Sequence, residues 1–246
     1  MAANQAPPPI YMGIDGCRSG WVAAVQQGAD VRVEIHPTFG GLLAAYPLVA
    51  RIAVDMPIGL PYAGYEKREC ESLARGKLPG RASTVFSPPC RAAANAATIA
   101  EARELNRQEV GSSLSAQAWN ICRKIVEVDD ALAAAPAIAK RVFEVHPEVC
   151  FAALADGRPM AHRKSTAEGR GERLAWLSRW LPQAAALSEA MLANHPRYSV
   201  LEDDILDALV VLLVARADEV QLKFLPPHTV RDERGLPMRI AYWEPA

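Results

Sequence analysis

The sequence predicts an α/β fold built on a mixed sheet of five strands, and three observations lead to this prediction. Apolar runs separated by short turn signals occupy residues 10–35. A helix-like segment then leads to a buried apolar run at residues 52–54. The chain beyond residue 65 has mostly helical spacing of its apolar residues, with one strand-like run at 142–145. Strands joined by short turns pair antiparallel, whereas a strand reached through a helical crossover pairs parallel, so the sheet is mixed.

The sheet elements follow from this pattern. The first three strands are predicted at residues 10–17, 21–25 and 31–35, because Gly-, Ser- and Asp-containing turn signals separate them. A short helix is predicted at 38–46. The fourth strand, 52–54, ends at Asp55 and Pro57, and the fifth, 142–145, ends before Pro147.

The remaining elements are helices with recognisable ends. They are predicted at residues 65–74, 91–108, about 115–135, 168–181, 183–194 and 200–219. Ser115 and Ser199 are the expected N-caps of the third and last of these, and Pro182 separates the two before the last. Residues 220–225 and 238–243 are predicted as either added strands or coil.

Length and composition predict one soluble domain. The chain has 246 residues, 50% hydrophobic and 22% charged, which is enough for a sizeable core. We expect a disordered lead-in at residues 1–9 and a single domain over 10–246. With 27 basic against 28 acidic residues, a polybasic nucleic-acid coat is excluded, but a local basic patch is not. The longest apolar stretch, 208–215, is too short for a membrane span, and five cysteines without metal-like spacing predict reduced thiols in a cytoplasmic protein.

Acidic residues stand at strand ends and on the last helix. Asp15 interrupts the first apolar strand, Asp55 ends the fourth, and Glu144 lies in the fifth with Glu148 soon after it. Acids of the last helix are Asp203, Asp204 and Asp207; the latter two share a helix face.

Converging carboxylates predict a metal site. They raise one another's pKa unless a cation joins them, and oxygen-only ligands favour Mg²⁺ or Mn²⁺. Such ions can activate water for phosphodiester hydrolysis. Three of the acids also have a structural alternative: Asp55 as a turn former, Asp203 as part of the first helical turn, and Glu148 as a solvent-exposed group. Asp15, inside an apolar strand, is the hardest to explain structurally.

Six segments together resemble the domain-of-unknown-function family 429 (DUF429), a family commonly described as ribonuclease-H-like nucleases. The resemblance covers residues 10–243. Its segments are GIDGCRSGWV (13–22), AVDMPIGLP (53–61), GRASTVFSPPCR (80–91), LSAQAWNICRKIVEVD (114–129), EVHPEVCF (144–151) and DDILDALV (203–210).

The resemblance implies a fold and a set of ligands. It implies a ribonuclease-H-like sheet of order 3-2-1-4-5 with strand 2 antiparallel to the rest, and a helical insertion at about 62–112. It implies that Asp15, Asp55, Asp204 and Asp207 are catalytic metal ligands for Mg²⁺ or Mn²⁺. Glu144 and Glu148 are not standard ligands of that superfamily, and we include them as family-specific ligands or supporting groups, with Glu144 also a catalytic candidate.

Polar residues of the middle region are candidates for phosphate and base contacts. Positive charge and hydroxyls suit phosphate oxygens, and an aromatic ring can stack on a base. The alternative is a solvated loop with a buried phenylalanine and an exposed helix face. The candidates are Arg75, Arg81, Ser83, Phe86, Arg91, Gln117, Lys124 and Lys164.

Three functions remain open from the sequence. The first is a metal-dependent nuclease or phosphodiesterase acting on a nucleic acid or a nucleotide-like phosphodiester. The second is a non-catalytic nucleic-acid-binding or protein-interaction module of the same fold. The third is a kinase-like phosphotransferase, suggested by Gly13-Ile14-Asp15-Gly16, although no second Asp-Gly hairpin after a strand is evident.

Overall fold

A computed structural model describes residues 6–196 and 199–245, and it contains one sheet of seven strands flanked by helices. The strand order is β3-β2-β1-β4-β5-β7-β6. Strands β2 and β6 run antiparallel to their neighbours, and the β1–β4, β4–β5 and β5–β7 pairs are parallel. The strands are β1 (Ile10–Cys17), β2 (Gly20–Gln27), β3 (Asp30–His36), β4 (Arg51–Val54), β5 (Val142–Val145), β6 (Leu222–Leu225) and β7 (Ile240–Trp243).

Helices cover both faces of the sheet. One face packs mainly against α10 and α7, and the other packs against α1 and α5. The helices are α1 (Phe39–Ala45), α2 (Glu69–Lys77), α3 (Arg91–Ala94), α4 (Ile99–Val110), α5 (Ala116–Ala134), α6 (Pro136–Ala139), α7 (Pro147–Leu154), α8 (Ala167–Leu177), α9 (Ala184–Asn194) and α10 (Glu202–Arg216).

The mixed α/β fold is confirmed, but the prediction of five strands was wrong by two. The predicted order 3-2-1-4-5 is present, and β7 and β6 extend it beyond β5. Both added strands have four residues, too few for a period-two pattern to distinguish strand from coil. The extension is joined to the sheet by β7, which pairs with β5 through Glu144 opposite Ile240 and Val145 opposite Ala241.

Several helix boundaries differ from the predictions. The segment predicted as one helix over 91–108 forms two helices, α3 and α4. The second helix begins after Thr98, which is its N-cap because the Thr98 side chain accepts a hydrogen bond from the Glu101 amide. Residue 65 is not helical, since Tyr65 pairs with Tyr62 in an antiparallel bridge and α2 begins only at 69. Ser115 is confirmed as the N-cap of α5.

The prediction of Ser199 as the N-cap of the last helix was wrong. Leu201 occupies that position, and its amide donates to the Asp204 carboxylate at 2.9 Å. Ser199 Oγ donates instead to the Pro196 carbonyl.

Helix α10 lies directly on the centre of the sheet. Eleven of its residues, from Ile205 to Ala215, are almost completely buried, as expected for a helix that is covered on all sides. A Cβ at Gly13 of β1 would lie 2.2 Å from the Leu212 amide nitrogen and 2.3 Å from the Ala208 carbonyl oxygen. Glycine is therefore required there, because it lets the helix backbone contact the strand backbone and brings the start of α10 to the end of β1.

The remaining organisational predictions concern thiols, the lead-in and membranes. All five cysteines are free and buried. Residues 6–9 are exposed without regular structure, and residues 1–5 of the predicted lead-in lie outside the described part of the chain. In the ranges 6–196 and 199–245, none of the helices combines the length and the apolar character that crossing a bilayer requires.

Candidate metal centre

Three carboxylates meet where β1, β4 and α10 come together. Asp15 lies near the end of β1, Asp55 directly follows β4, and Asp207 is in the second turn of α10. One carboxylate oxygen from each lies within 4.8 Å of the other two. This spacing is short enough for one cation to contact all three side chains.

The sheet fixes the first two of these acids. Strands β1 and β4 are parallel, with Ile14 opposite Val54, so Asp15 and Asp55 leave the same edge of the sheet. The Asp55 amide donates to the Ile14 carbonyl at 2.9 Å, which continues the strand pairing by one residue. Asp15 Oδ1 accepts a hydrogen bond from the Gly16 amide at 2.6 Å.

Asp207 is the most deeply buried of the three acids, at 1% exposure. Its Oδ2 accepts a hydrogen bond from Lys164 Nζ at 2.7 Å. Its Oδ1 has no hydrogen-bond partner among the described residues. An unsatisfied buried carboxylate oxygen is costly, so this atom is available to a ligand.

The electrostatics of the three acids are unfavourable without a cation. Burial, reinforced by Asp55 and Asp207, raises the pKa of Asp15 well above its ordinary value. Burial and then the charge of Asp207 raise the pKa of Asp55 to about 8. Burial also raises the pKa of Asp207, although Lys164 opposes this effect. In turn, Asp207 raises the pKa of Lys164, which remains an ammonium.

The three acids open into a cavity of about 580 Å³. Its walls come from the loop around residues 80–86, the start of α5, and residues 163–165. Five of the residues predicted to contact phosphate or base, beyond Lys164 itself, line it: Arg81, Ser83, Phe86, Gln117 and Lys124.

Two predicted phosphate contacts, Arg75 and Arg91, do not line the cavity and instead contact other parts of the chain. Arg75 donates to the Val85 carbonyl at 2.9 Å and to Ser87 Oγ at 3.0 Å. Arg91 forms ion pairs with Asp129 at 2.8 Å and Asp232 at 2.6 Å. Arg81 lines the cavity but also donates to the Met160 carbonyl.

Glu144 reaches the cavity wall, but its two oxygens already have partners. Arg68 Nη2 contacts both oxygens, the nearer at 2.6 Å, and the Ile58 amide donates to Oε2 at 2.8 Å. Burial raises the pKa of Glu144 to about 7, and Arg68 opposes that rise. Arg68 is itself buried, and it also contacts Glu71 at 3.1 Å and the Gly59 carbonyl at 2.8 Å. This group, which we call the Arg68 cluster (Arg68, Cys70, Glu71 and Glu144), ties down the loop that follows Asp55.

Glu148 and Asp204 lie outside the three-acid group. Glu148 lines the cavity and pairs with the buried Arg173, while its Oε2 has no partner in the described structure. Asp204 caps the start of α10 and lines a neighbouring groove, and burial raises its pKa to about 6. Asp203 is 3.9 Å from Lys164.

Three basic cavity residues were not candidates from the sequence. His146 is partly buried, its Nδ1 atom is enclosed and has no partner in the described structure, and desolvation lowers its pKa, so the ring is neutral. Arg163 and Arg173 also line the cavity. The one sequence signal for His146 is its position directly after β5, because the residues that follow parallel strands lie at the same edge of the sheet as Asp55.

Comparison with known proteins identifies a family but no activity. A family model described as "Protein of unknown function (DUF429)" matches residues 13–231, a range that includes the three clustered acids. Neither the curated proteins nor the solved structures contain a significant match.

Proposed function

The chain belongs to the DUF429 family, whose function is unknown, and we propose from its site that it is a divalent-metal-dependent nuclease or phosphodiesterase. The observation that carries the proposal is the convergence of Asp15, Asp55 and Asp207 within 4.8 Å in a buried pocket. Mutual repulsion and burial disfavour the charged forms of these acids, and Lys164 offsets only part of this effect. Three carboxylates are hard ligands suited to Mg²⁺ or Mn²⁺.

We propose in addition that the sheet is ribonuclease-H-like, with β7 and β6 as an extension. The order of β1 to β5 supports this proposal, as does the placement of acids on the first strand, after the fourth and on the last helix.

The residues present fit a divalent ion. Asp15, Asp55 and Asp207 would hold it, and the unpartnered Oδ1 of Asp207 is a ligand atom without a competing donor in the described structure. When bound, such an ion supplies the positive charge that lowers the pKa of a water nucleophile and stabilises the leaving oxygen.

The chain's own groups would bind and orient the phosphodiester. Lys164 is 43% exposed, so its ammonium can contact a phosphate oxygen while it remains beside Asp207. Lys124 and Arg81 place further positive charge on the wall. Phe86 offers a ring to stack on a base or another flat group. His146 is neutral and partly buried, and its unpartnered Nδ1 can accept or donate one hydrogen bond within the cavity.

One observation favours a non-catalytic binding module as the second candidate. Lys164 already supplies a positive charge 2.7 Å from Asp207, so it balances part of the negative charge without a metal. Calorimetric titration with Mn²⁺ separates the two candidates: binding that Asp55→Asn abolishes supports the hydrolase, and its absence supports the module.

The activity itself is tested by a cleavage panel with Mn²⁺ or Mg²⁺. We expect hydrolysis of at least one of single-stranded, duplex, hybrid or branched nucleic acids or a small phosphodiester. Activity should disappear with EDTA and return with excess Mn²⁺. Cleavage that persists in EDTA, or that survives unchanged in Asp15→Asn protein, would contradict the proposal.

A second test uses the pH dependence of stability. Asp55 titrates near 3.8 when unfolded and near 8 in the folded protein. Below this range the carboxyl is protonated in both states. As pH rises from about 4 to about 8 the unfolded chain alone loses the proton, so the metal-free protein loses stability. We expect its thermal midpoint to fall more steeply over this range than that of Asp55→Asn, and Mn²⁺ to restore it. Equal slopes for the two proteins would argue against the acid cluster.

A further inference from the structure

A second depression, here called the basic groove, lies beside the cavity on the outer side of the β1–β2 turn. Its volume is about 620 Å³. The turn contributes Arg18 and Ser19, and α5 contributes Asn120 and Arg123. All four are exposed. The groove therefore offers two guanidinium groups, an amide and a hydroxyl to a ligand in solvent.

We propose that the basic groove binds the sugar-phosphate backbone of a single-stranded nucleic acid whose scissile phosphodiester lies in the cavity. This inference rests on the proposed function and names its substrate class: a single-stranded polymer in preference to a mononucleotide or a duplex.

The groove and the cavity are continuous. Gly16 and Lys124 line both. A Cβ at Gly16 would lie 2.7 Å from Lys124 Cδ, so the absence of a side chain there gives the lysine its path across the strand end. The Lys124 ammonium donates to the Gly20 carbonyl and lies 4.4 Å from the Trp21 ring centroid. A fixed positive charge therefore marks the boundary between the two depressions, next to Gly16.

One face of α5 follows the whole path. Gln117 faces the cavity, Lys124 lies at the boundary, and Asn120 and Arg123 face the groove. Amide and cationic side chains at helical spacing can follow successive phosphates and sugars of one strand.

The two groove arginines differ from the arginines of the insertion. Arg75, Arg81 and Arg91 donate to carbonyls or carboxylates within the chain. Within residues 6–196 and 199–245, neither Arg18 nor Arg123 forms an ion pair. No carboxylate of the described residues pairs with these two guanidinium groups, so both are available to bind phosphate.

The acids near the groove do not cancel this charge fully. Both oxygens of Glu127 accept hydrogen bonds, from Trp21 Nε1 at 3.0 Å and from the Phe39 amide. Asp204 accepts from the Leu201 amide at the edge of the groove. Arg18, Arg123 and Lys124 thus provide three positive charges against these two engaged carboxylates.

The size of the cavity favours a single strand. A cavity of 580 Å³ is in the range that encloses one small organic ligand. It has room for one nucleotide unit and not for a stacked, base-paired duplex. Any further length of substrate must leave the cavity, and the groove is the charged surface continuous with it.

The test compares substrates of different length on matched variants. Fluorescence anisotropy would measure binding of a labelled dinucleotide, a longer single-stranded oligonucleotide and a duplex, with Ca²⁺ replacing Mn²⁺ to suppress cleavage. The groove variant is Arg18→Ala/Arg123→Ala. The control variant, Lys140→Ala/Lys223→Ala, removes the same charge from exposed positions that lie outside both depressions.

We expect the wild-type protein to bind the longer strand at least about tenfold more tightly than the dinucleotide, and the groove variant to lose most of that ratio. The salt dependence of binding should also weaken, by about 0.7 in logarithmic slope for each lost phosphate contact, or about 1.4 in total. The control variant should keep the wild-type ratio and slope.

Three outcomes would overturn the inference: equal affinity for the dinucleotide and the longer strand, equal losses in the groove and control variants, or tighter binding of the duplex. If a dinucleotide is cleaved in Mn²⁺ but affinity does not increase with strand length, the hydrolase proposal stands and the proposed role of the groove is rejected. Tighter binding of the longer strand without cleavage of any substrate would support the groove and contradict the hydrolase proposal.

Discussion

Asp15→Asn is expected to reduce metal-dependent cleavage by on the order of a thousandfold or more, well beyond the 10- to 100-fold typical of a residue behind a metal ligand. Asparagine has nearly the same shape, and its amide oxygen can still accept the 2.6 Å hydrogen bond from the Gly16 amide. The substitution therefore removes one negative charge from the cluster with little change in local structure. Steady-state cleavage and Mn²⁺ calorimetry on the same preparation would measure the effect.

Stability gives this experiment a second, opposite readout. Asp15 is buried beside Asp55 and Asp207, and its pKa is raised because its charged form is disfavoured. A neutral side chain removes that repulsion, so the metal-free variant should melt at the same temperature as the wild type or higher. Mn²⁺ should stabilise the wild type much more than the variant.

The matched control is Asp218→Asn, at an exposed position beyond the other end of α10. It should leave cleavage and metal binding at wild-type levels. Loss of activity accompanied by a lower melting temperature in Asp15→Asn would indicate damaged folding in place of a lost ligand. Unchanged activity with unchanged metal binding would remove Asp15 from the site.

Asp204→Asn distinguishes the observed three-acid group from the wider set implied by family resemblance. Asp204 faces the groove and caps α10, and an asparagine oxygen can still accept from the Leu201 amide. We expect a loss of less than about tenfold, below the roughly 10- to 100-fold typical of a residue that supports a metal ligand. A loss equal to that of Asp15→Asn would return Asp204 to the set of ligands.

Local sequence patterns predicted those parts of the molecule that depend on local physics. Alternating and continuous apolar runs identified β1 to β5, because burial on one or both faces determines their composition. Asp15 and Asp55 were recognisable because an acid in or directly after an apolar strand has few structural explanations. The two added strands, β6 and β7, were ambiguous because four residues carry too little pattern.

Long-range partners could not be predicted in the same way. Glu144 looked like a ligand because it is an acid inside a strand near the other acids. In the structure it pairs with Arg68, which lies 76 residues away in a segment predicted to be a helix. Nothing in the local pattern of either segment indicates that the two side chains meet, because tertiary packing alone brings them together.

The strongest effect on stability is expected from Arg68→Met. Arg68 is 4% exposed and is the cation for both Glu71 and Glu144, which are buried as well. Removing one partner of a buried ion pair leaves an uncompensated charge, at a typical cost of about 3–5 kcal/mol in the free energy of unfolding. Urea denaturation at neutral pH would measure the loss.

Glu144→Gln tests the role of the same cluster in the site. Glutamine can still accept from the Ile58 amide and from Arg68, so it weakens the cluster while keeping its shape. If Glu144 positions the loop after Asp55, the variant should lose stability and some cleavage rate but bind Mn²⁺ with the wild-type stoichiometry. If the variant instead kept its stability and bound less Mn²⁺, Glu144 would be a metal ligand. Loss of a direct ligand lowers metal affinity, and it does so here without a loss of folding stability.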